Sequence, residues 1–223
     1  VKQDPEGVTV AKLLEVPEVR NGDVLEIGCG DGRITAGLAP CVKRLLAVDP
    51  DEKSLEKAAS RLPGVELRRG SGERLDVADR SFHAAIFTLS LHHQSSRKAM
   101  EEAARVVKDD GVVLVLEPVA ESEIERICRP LNDERHALLA ALYAVLESSW
   151  KVRHKEVFPV RWVFRDRREL IQWVLEYYGK PFDEETARRI VEPVRWKAED
   201  RPLVVEDRLL LFALSHTGWK SRE

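Results

Sequence analysis

The 223-residue chain has only three cysteines, one methionine, three tyrosines and few asparagines or glutamines, and aromatic residues make up 6% of it. Cys29, Cys41 and Cys128 show no C-x-x-C spacing, which leaves no basis for a disulfide framework and points to reduced thiols in a reducing compartment. No run approaches the roughly 18 consecutive apolar residues of a membrane span, and the N-terminus has no signal-peptide pattern. An excess of one charge is missing too: 36 Lys plus Arg stand against 39 Asp plus Glu, a formal net charge of −3. Neither half is a polycation, so whole-domain electrostatics give no case for nonspecific nucleic-acid binding. These absences lead us to expect a soluble, cytoplasmic protein. The 43% hydrophobic content is ample for one packed core. The 34% charged content, with so little Met, Asn and Gln, leans toward a thermophilic source.

What is present is concentrated in Val24-Leu25-Glu26-Ile27-Gly28-Cys29-Gly30-Asp31-Gly32-Arg33, followed twenty-one residues after Gly28 by Asp49 at the end of a second apolar run. Strand, glycine turn, helix start, strand and acid are the parts with which an α/β domain holds an adenosine-containing molecule across the ends of its parallel strands. A dinucleotide fingerprint is G-x-G-x-x-G, whereas this turn is G-x-G-x-G with Glu26 two residues before its first glycine. A pyrophosphate needs bare backbone N–H groups, and a carboxylate beside the turn repels it. A ligand carrying an ammonium and a sulfonium is attracted instead.

At E-I-G-C-G-D-G the chain resembles the class I S-adenosylmethionine-dependent methyltransferases, whose first motif reads E/D-x-G-x-G-x-G. The resemblance implies S-adenosylmethionine as cofactor, S-adenosylhomocysteine as product, and a cofactor site containing Glu26, Gly28, Cys29, Gly30, Gly32, Asp49 and Pro50. Asp49 would take both ribose hydroxyls. Pro50 and Asp51 open a helix running toward Leu62, and Val65–Gly70 reads as a third strand. Around the adenine the resemblance puts Ser71, Gly72 and Glu73, although the family's usual G-D-A-E-x-L is altered and the charge-assisted bond of its Asp is absent. A fourth strand follows, with His83 where the family has Asp, and it ends in Ser90-Leu91-His92-His93. That ending is common in the small-molecule branch of the family. Ser90 is assigned to the cofactor, and His92 or His93 is the candidate base where the acceptor must lose a proton. No metal is expected, because adjacent histidines do not easily face one ion and no partner ligands sit at a recognisable spacing. Asp109-Asp110-Gly111 reads as a turn into a fifth strand, Val112–Pro118.

In the C-terminal half Asn132 is a possible cap for a helix carrying Leu138, Leu142 and Val145. Residues 152–164 alternate like an extended strand or hairpin arm. Asp166 caps a helix stopped by Gly179, a shorter helix starts at Asp183, and Asp207–Ser215 is a last strand. The expected architecture is one α/β methyltransferase domain over 1–223, a Rossmann-like, seven-stranded, mostly parallel sheet with helices on both faces and the last strand antiparallel. Residues 1–120 form its cofactor core, 151–202 an insertion acting as a partial lid, and 203–215 the last core strand. Four of the five tryptophans fall between 150 and 196, compatible with a closed pocket or a homodimer surface. The run Arg161–Arg168 is either a grip for an anionic or aromatic substrate or RNA, or a packed arm with its arginines in water. The expected partner is a small-molecule methyl acceptor. A macromolecular acceptor, such as tRNA or a protein, and a non-catalytic cofactor-binding module remain as alternatives.

Overall fold

The computed structural model describes residues 1–215 apart from Asn21 and Ala198, so Trp219 lies outside the described residues. In chain order the elements are β1 (Lys2–Gln3), α1 (Val8–Leu14), β2 (Asp23–Ile27), α2 (Arg33–Leu38), β3 (Arg44–Asp49), α3 (Glu52–Arg61), β4 (Glu66–Arg69), β5 (Phe82–Thr88), α4 (Ser96–Val106), β6 (Val107–Pro118), α5 (Glu123–Cys128), α6 (Arg135–Leu146), β7 (Lys151–Phe164), α7 (Arg167–Tyr177), α8 (Glu184–Val191) and β8 (Leu203–Ser215). The strands of highest apolar content are the central ones. Val24–Ile27, Leu45–Asp49 and Ala84–Thr88 are buried throughout, as strands covered on both faces must be.

Among the described residues there is an eight-stranded sheet in the order β1-β7-β8-β6-β5-β2-β3-β4. The pairs β2·β3, β2·β5, β3·β4 and β5·β6 are parallel, and β1 pairs antiparallel with β7, so the α/β architecture is borne out with one more strand than the seven expected. That extra strand is only two residues long. The alternating segment 152–164 belongs to the sheet as β7, which corrects the expected start of the insertion at 151. Its buried Phe158, Val160 and Phe164 alternate with exposed neighbours, the period-2 burial of a strand with one covered face. What separates β7 from β8 is therefore 165–202. The expected turn at Asp109–Gly111 is instead a bulge within β6. Pairing jumps from Phe82↔Val107 to Ala84↔Val112, leaving Lys108–Gly111 without a place in the ladder.

Side-chain caps set three helix starts as anticipated. Asp51 accepts from the Ser54 N–H at 3.0 Å, Asp166 from Arg168 and Glu169 at 2.9 and 3.0 Å, and Asp183 from Thr186 at 2.9 Å, each worth about 1 kcal/mol. Asn132 does not cap α6; its amide donates to Glu134 at 2.8 Å while Asp133 accepts the Arg135 N–H. Two compact units divide the chain. The larger comprises residues 9–117, 139–156 and the chain from Leu210, and its core joins Leu25, Ile27, Leu46, Phe87, Met100, Val113 and Phe212. The smaller comprises 1–8, 118–138 and 157–209, with a core of Ile127, Phe164, Leu170, Val174, Ile190 and Val205. No helix among the described residues is long and apolar enough to cross a membrane.

Within the larger unit, α4 is fastened to the irregular segment before β5. Arg105 donates to the carbonyls of Leu75 and Val77 at 2.9 Å and to Asp79 at 2.6 Å, while Glu102 accepts the Leu75 N–H at 2.9 Å. Removing one guanidinium takes a donor from two carbonyls and from two carboxylates, Asp79 and Glu102. We expect Arg105→Ala to cost about 1–3 kcal/mol in urea unfolding and to speed amide exchange selectively at residues 75–79. Unchanged exchange there would show that the segment holds itself.

Candidate cofactor and active site

The site starts at the carboxyl end of β2, where the chain turns sharply. The N–H groups of Gly28 and Cys29 both donate to the Val48 carbonyl at 2.8 and 3.1 Å, the Gly32 N–H donates to Cys29 at 3.0 Å, and the Gly30 N–H donates to Asp49 Oδ2 at 2.8 Å. These amides are committed inside the protein. These four amides are thus not open to an anion, in keeping with the turn's departure from the dinucleotide spacing. Gly28 and Gly30 need their glycines for different reasons. A Cβ at Gly28, with φ of 77°, would lie 2.2 Å from the Ser90 Cβ, whereas at Gly30, with φ of 55°, it would project where no atom lies within 4 Å. The first glycine admits protein and the second leaves room for a ligand.

Glu26 lies inside this turn, fully buried. Thr88 donates to its Oε1 at 3.0 Å and to the Gly28 carbonyl at 3.2 Å, while Oε2 has no hydrogen-bond partner. Burial pushes the carboxyl up to about 7, against the opposing pull of the Thr35 and Thr88 hydroxyls and the Arg33 charge. An ammonium is the kind of group that such an oxygen wants. Asp49, at the end of β3, is held at both oxygens, by the Gly30 N–H and by the Asp51 N–H at 2.8 Å. Each oxygen keeps a further lone pair, which suits a pair of vicinal hydroxyls. Pro50 beside it is exposed. Burial, with the nearby Glu26 and Asp49 charges, pushes the Cys29 thiol up to about 12, so it stays protonated and serves as packing rather than as a nucleophile.

Two more loops of the same unit meet the turn. Ser90 donates to the Ile27 carbonyl at 2.5 Å. Gly72 is buried, and a Cβ there would stand 2.4 Å from Gln94 Oε1 and 2.8 Å from Ile27 Cγ2. The Ser71 hydroxyl is turned to its own loop, accepting the Glu73 N–H at 3.2 Å, and Glu73 accepts the Ser95 N–H at 2.8 Å. The candidate residues therefore converge, with Ser71 and Glu73 also bracing the loops that carry them. His92 is buried and His93 exposed, their rings 3.8 Å apart. His92 Nδ1 is in contact with Glu117 Oε2, and Glu117 Oε1 accepts the Leu91 N–H at 2.8 Å. Glu117 was passed over in the sequence as part of a strand. The signal was there: like Glu26 and Asp49, it is an acid at the carboxyl end of a buried apolar run.

His83 lies at the other end of the parallel strands, where its Nδ1 accepts the Asp23 N–H at 3.0 Å and its Nε2 is 2.9 Å from Lys108 Nζ. Its departure from the family pattern thus concerns strand starts, away from the glycine turn. In the smaller unit the basic run is internally engaged: Arg161 pairs with Glu6, Arg165 with Glu169 at 3.0 Å, and Trp162 packs on Trp173 at 4.9 Å between centroids.

A family profile described as a methyltransferase domain matches residues 24–111, the stretch that holds the glycine turn, Asp49 and the histidine loop. Residues 24–111 are thus similar to methyltransferase domains. Across 150 residues, 61% of the chain, the protein is 30% identical to the uncharacterized methyltransferase YcgJ of Bacillus subtilis and covers 59% of it. It also shares 32–35% identity with relatives from Mycobacterium tuberculosis and Mycolicibacterium smegmatis while spanning 38% of their length. The chain thus spans between about two fifths and three fifths of these curated relatives. The fold matches the YcgJ crystal structure with a TM-score of 0.64 at 20% identity, covering 95% of this chain and 99% of that one. It matches geranyl diphosphate methyltransferase, solved with S-adenosylmethionine, with a TM-score of 0.62 at 14% identity, covering 95% and 86%.

The raised Glu26 carboxyl makes stability depend on pH in a definite direction. Below its ordinary value of 4.5 it is neutral both folded and unfolded; as pH rises from there to about 7 the unfolded chain ionises first and stability falls. Above that the loss is constant, about 3 kcal/mol. Urea unfolding of wild type and Glu26→Gln should therefore show a stability gap that shifts by about this amount in favour of the variant between pH 4 and pH 8. A gap independent of pH would mean that the carboxylate is already compensated.

Proposed function

We propose that this chain transfers the methyl group of S-adenosylmethionine to a small-molecule acceptor. The observation that carries the reading is the buried Glu26 oxygen without a partner, set beside a glycine whose missing side chain leaves open space in a turn where the amides of Gly28, Cys29, Gly30 and Gly32 are already committed. That donor set fits a ligand with an ammonium and no phosphate. When bound, S-adenosylmethionine supplies a methyl group activated by its sulfonium. The residues then have complementary tasks: Glu26 attracts the cationic end, Asp49 receives ribose hydroxyls, and Ser71, Gly72 and Glu73 border the adenine. Most of the rate gain in such chemistry comes from alignment and exclusion of water.

The small-molecule part of the reading is supported by charge. A net charge of −3 and arginines at 161 and 165 already paired with Glu6 and Glu169 offer little to a polyanion. The shared fold with geranyl diphosphate methyltransferase is in line with this, as a likeness of fold. Calorimetric titration with S-adenosylmethionine and S-adenosylhomocysteine tests the cofactor assignment. Asp49→Ala should weaken both about 10- to 100-fold, the worth of lost hydrogen bonds to a charged group. Binding that the variant leaves intact would remove Asp49 from the site, and no binding by wild type would remove the cofactor. Labelled methyl donor offered alongside pools of small metabolites, bulk tRNA and protein should place the label in the first pool.

A further inference from the structure

The smaller unit contains a groove of about 380 Å³, the size of a small-molecule pocket. Part of its lining is a single face of α7. Ile171 and Leu175 lie one helical turn apart, and Arg168, Gln172 and Glu176 share their side of the helix at three- and four-residue spacings. The rest is the chain that returns after the helix. Gly179, with φ of 60°, makes the left-handed turn; its N–H donates to the Glu176 carbonyl at 3.1 Å and the Lys180 N–H donates to the Leu175 carbonyl at 2.8 Å. That closure ends a helix and turns its chain back, and Lys180 and Phe182 thereby line the groove. Asp183 next caps α8 by accepting the Thr186 N–H at 2.9 Å, so the returning segment is fixed at both ends.

We propose that this groove binds a small amphiphilic anion, an apolar chain or ring that ends in one carboxylate. Ile171, Leu175 and Phe182 supply the apolar lining, and the Phe182 ring is 68% exposed, a large apolar surface left in water on a segment whose backbone is held in place. Two cations of the lining stand against one acid. The acid is already engaged, since Glu176 Oε1 accepts the Gln172 amide at 2.7 Å. Arg168 and Lys180 differ from Arg161 and Arg165 of the same unit, which pair with Glu6 and Glu169. Among the described residues no acid pairs with the side chain of either. A guanidinium and an ammonium beside an apolar floor complement a carboxylate on an apolar body. A cation of the same shape would meet two like charges. A polyanion would need a longer row of cations than these two. This site does not depend on the methyltransferase reading, which uses none of its residues.

Amide spectra of the nitrogen-15-labelled protein, titrated with decanoate, decan-1-ol and decyltrimethylammonium, test the assignment. Decanoate should shift the amides of Ile171, Gln172, Leu175, Lys180 and Phe182 and bind at least ~10-fold tighter than the ammonium probe. The double variant Arg168→Gln, Lys180→Gln should weaken decanoate about 5- to 10-fold, the worth of two exposed charge pairs, and decan-1-ol less than about 2-fold. Phe182→Ala should weaken decanoate and decan-1-ol alike, by about 5-fold, while its urea midpoint stays that of wild type because the ring is exposed. Decanoate shifts that avoid these amides, or no saturation by about 1 mM decanoate, overturn the proposal. So does a double variant that binds decanoate as wild type does, or an ammonium probe that binds as tightly as decanoate.

Discussion

One carbonyl and one carboxylate at the end of β3 organise the site. Val48 takes the first two amides of the glycine turn and Asp49 takes the third, so β2 and its neighbour are joined at the point where both release the chain. A turn with unsatisfied amides would need an anion to stabilise it. Here the protein supplies the acceptors itself, and the space left at Gly30 can serve an uncharged or cationic group.

Much of this was legible in the amino-acid order because it depends on local rules. Apolar runs of strand length, among them Val24–Ile27 and the run closed by Asp49, gave the central strands, and Asp51, Asp166 and Asp183 marked helix starts by a bond that closes within three residues. What was not legible depended on partners distant in the chain. The alternation at 152–164 was visible, yet it carried no mark of the sheet position that β7 occupies. Asn132 was the expected cap, yet it is Asp133 that accepts the Arg135 amide. His83 stood out as a departure from pattern, but its meaning came only from Asp23 and Lys108, sixty residues before it and twenty-five after. Glu117 stayed unread because its partner, His92, lies twenty-five residues away on another loop.

The smaller unit follows a different logic. Its aromatic residues stack on one another, Trp162 on Trp173 and Trp173 on Tyr177 at 5.4 Å, and Arg161 and Arg165 face acids close by. Rings that meet edge to face or offset gain about a kcal/mol beyond their buried area, which suits a unit whose core is smaller.

The contact between Gly28 and Ser90 has a mechanical consequence. With the serine Cβ occupying the place that a side chain at Gly28 would need, and its hydroxyl bonded to Ile27, there is no slack between the cofactor turn and the loop carrying the histidines. Any displacement of one presses on the other. The glycine turn and the histidine loop thus share one joint, and residues 28 and 90 are free to change only as a pair.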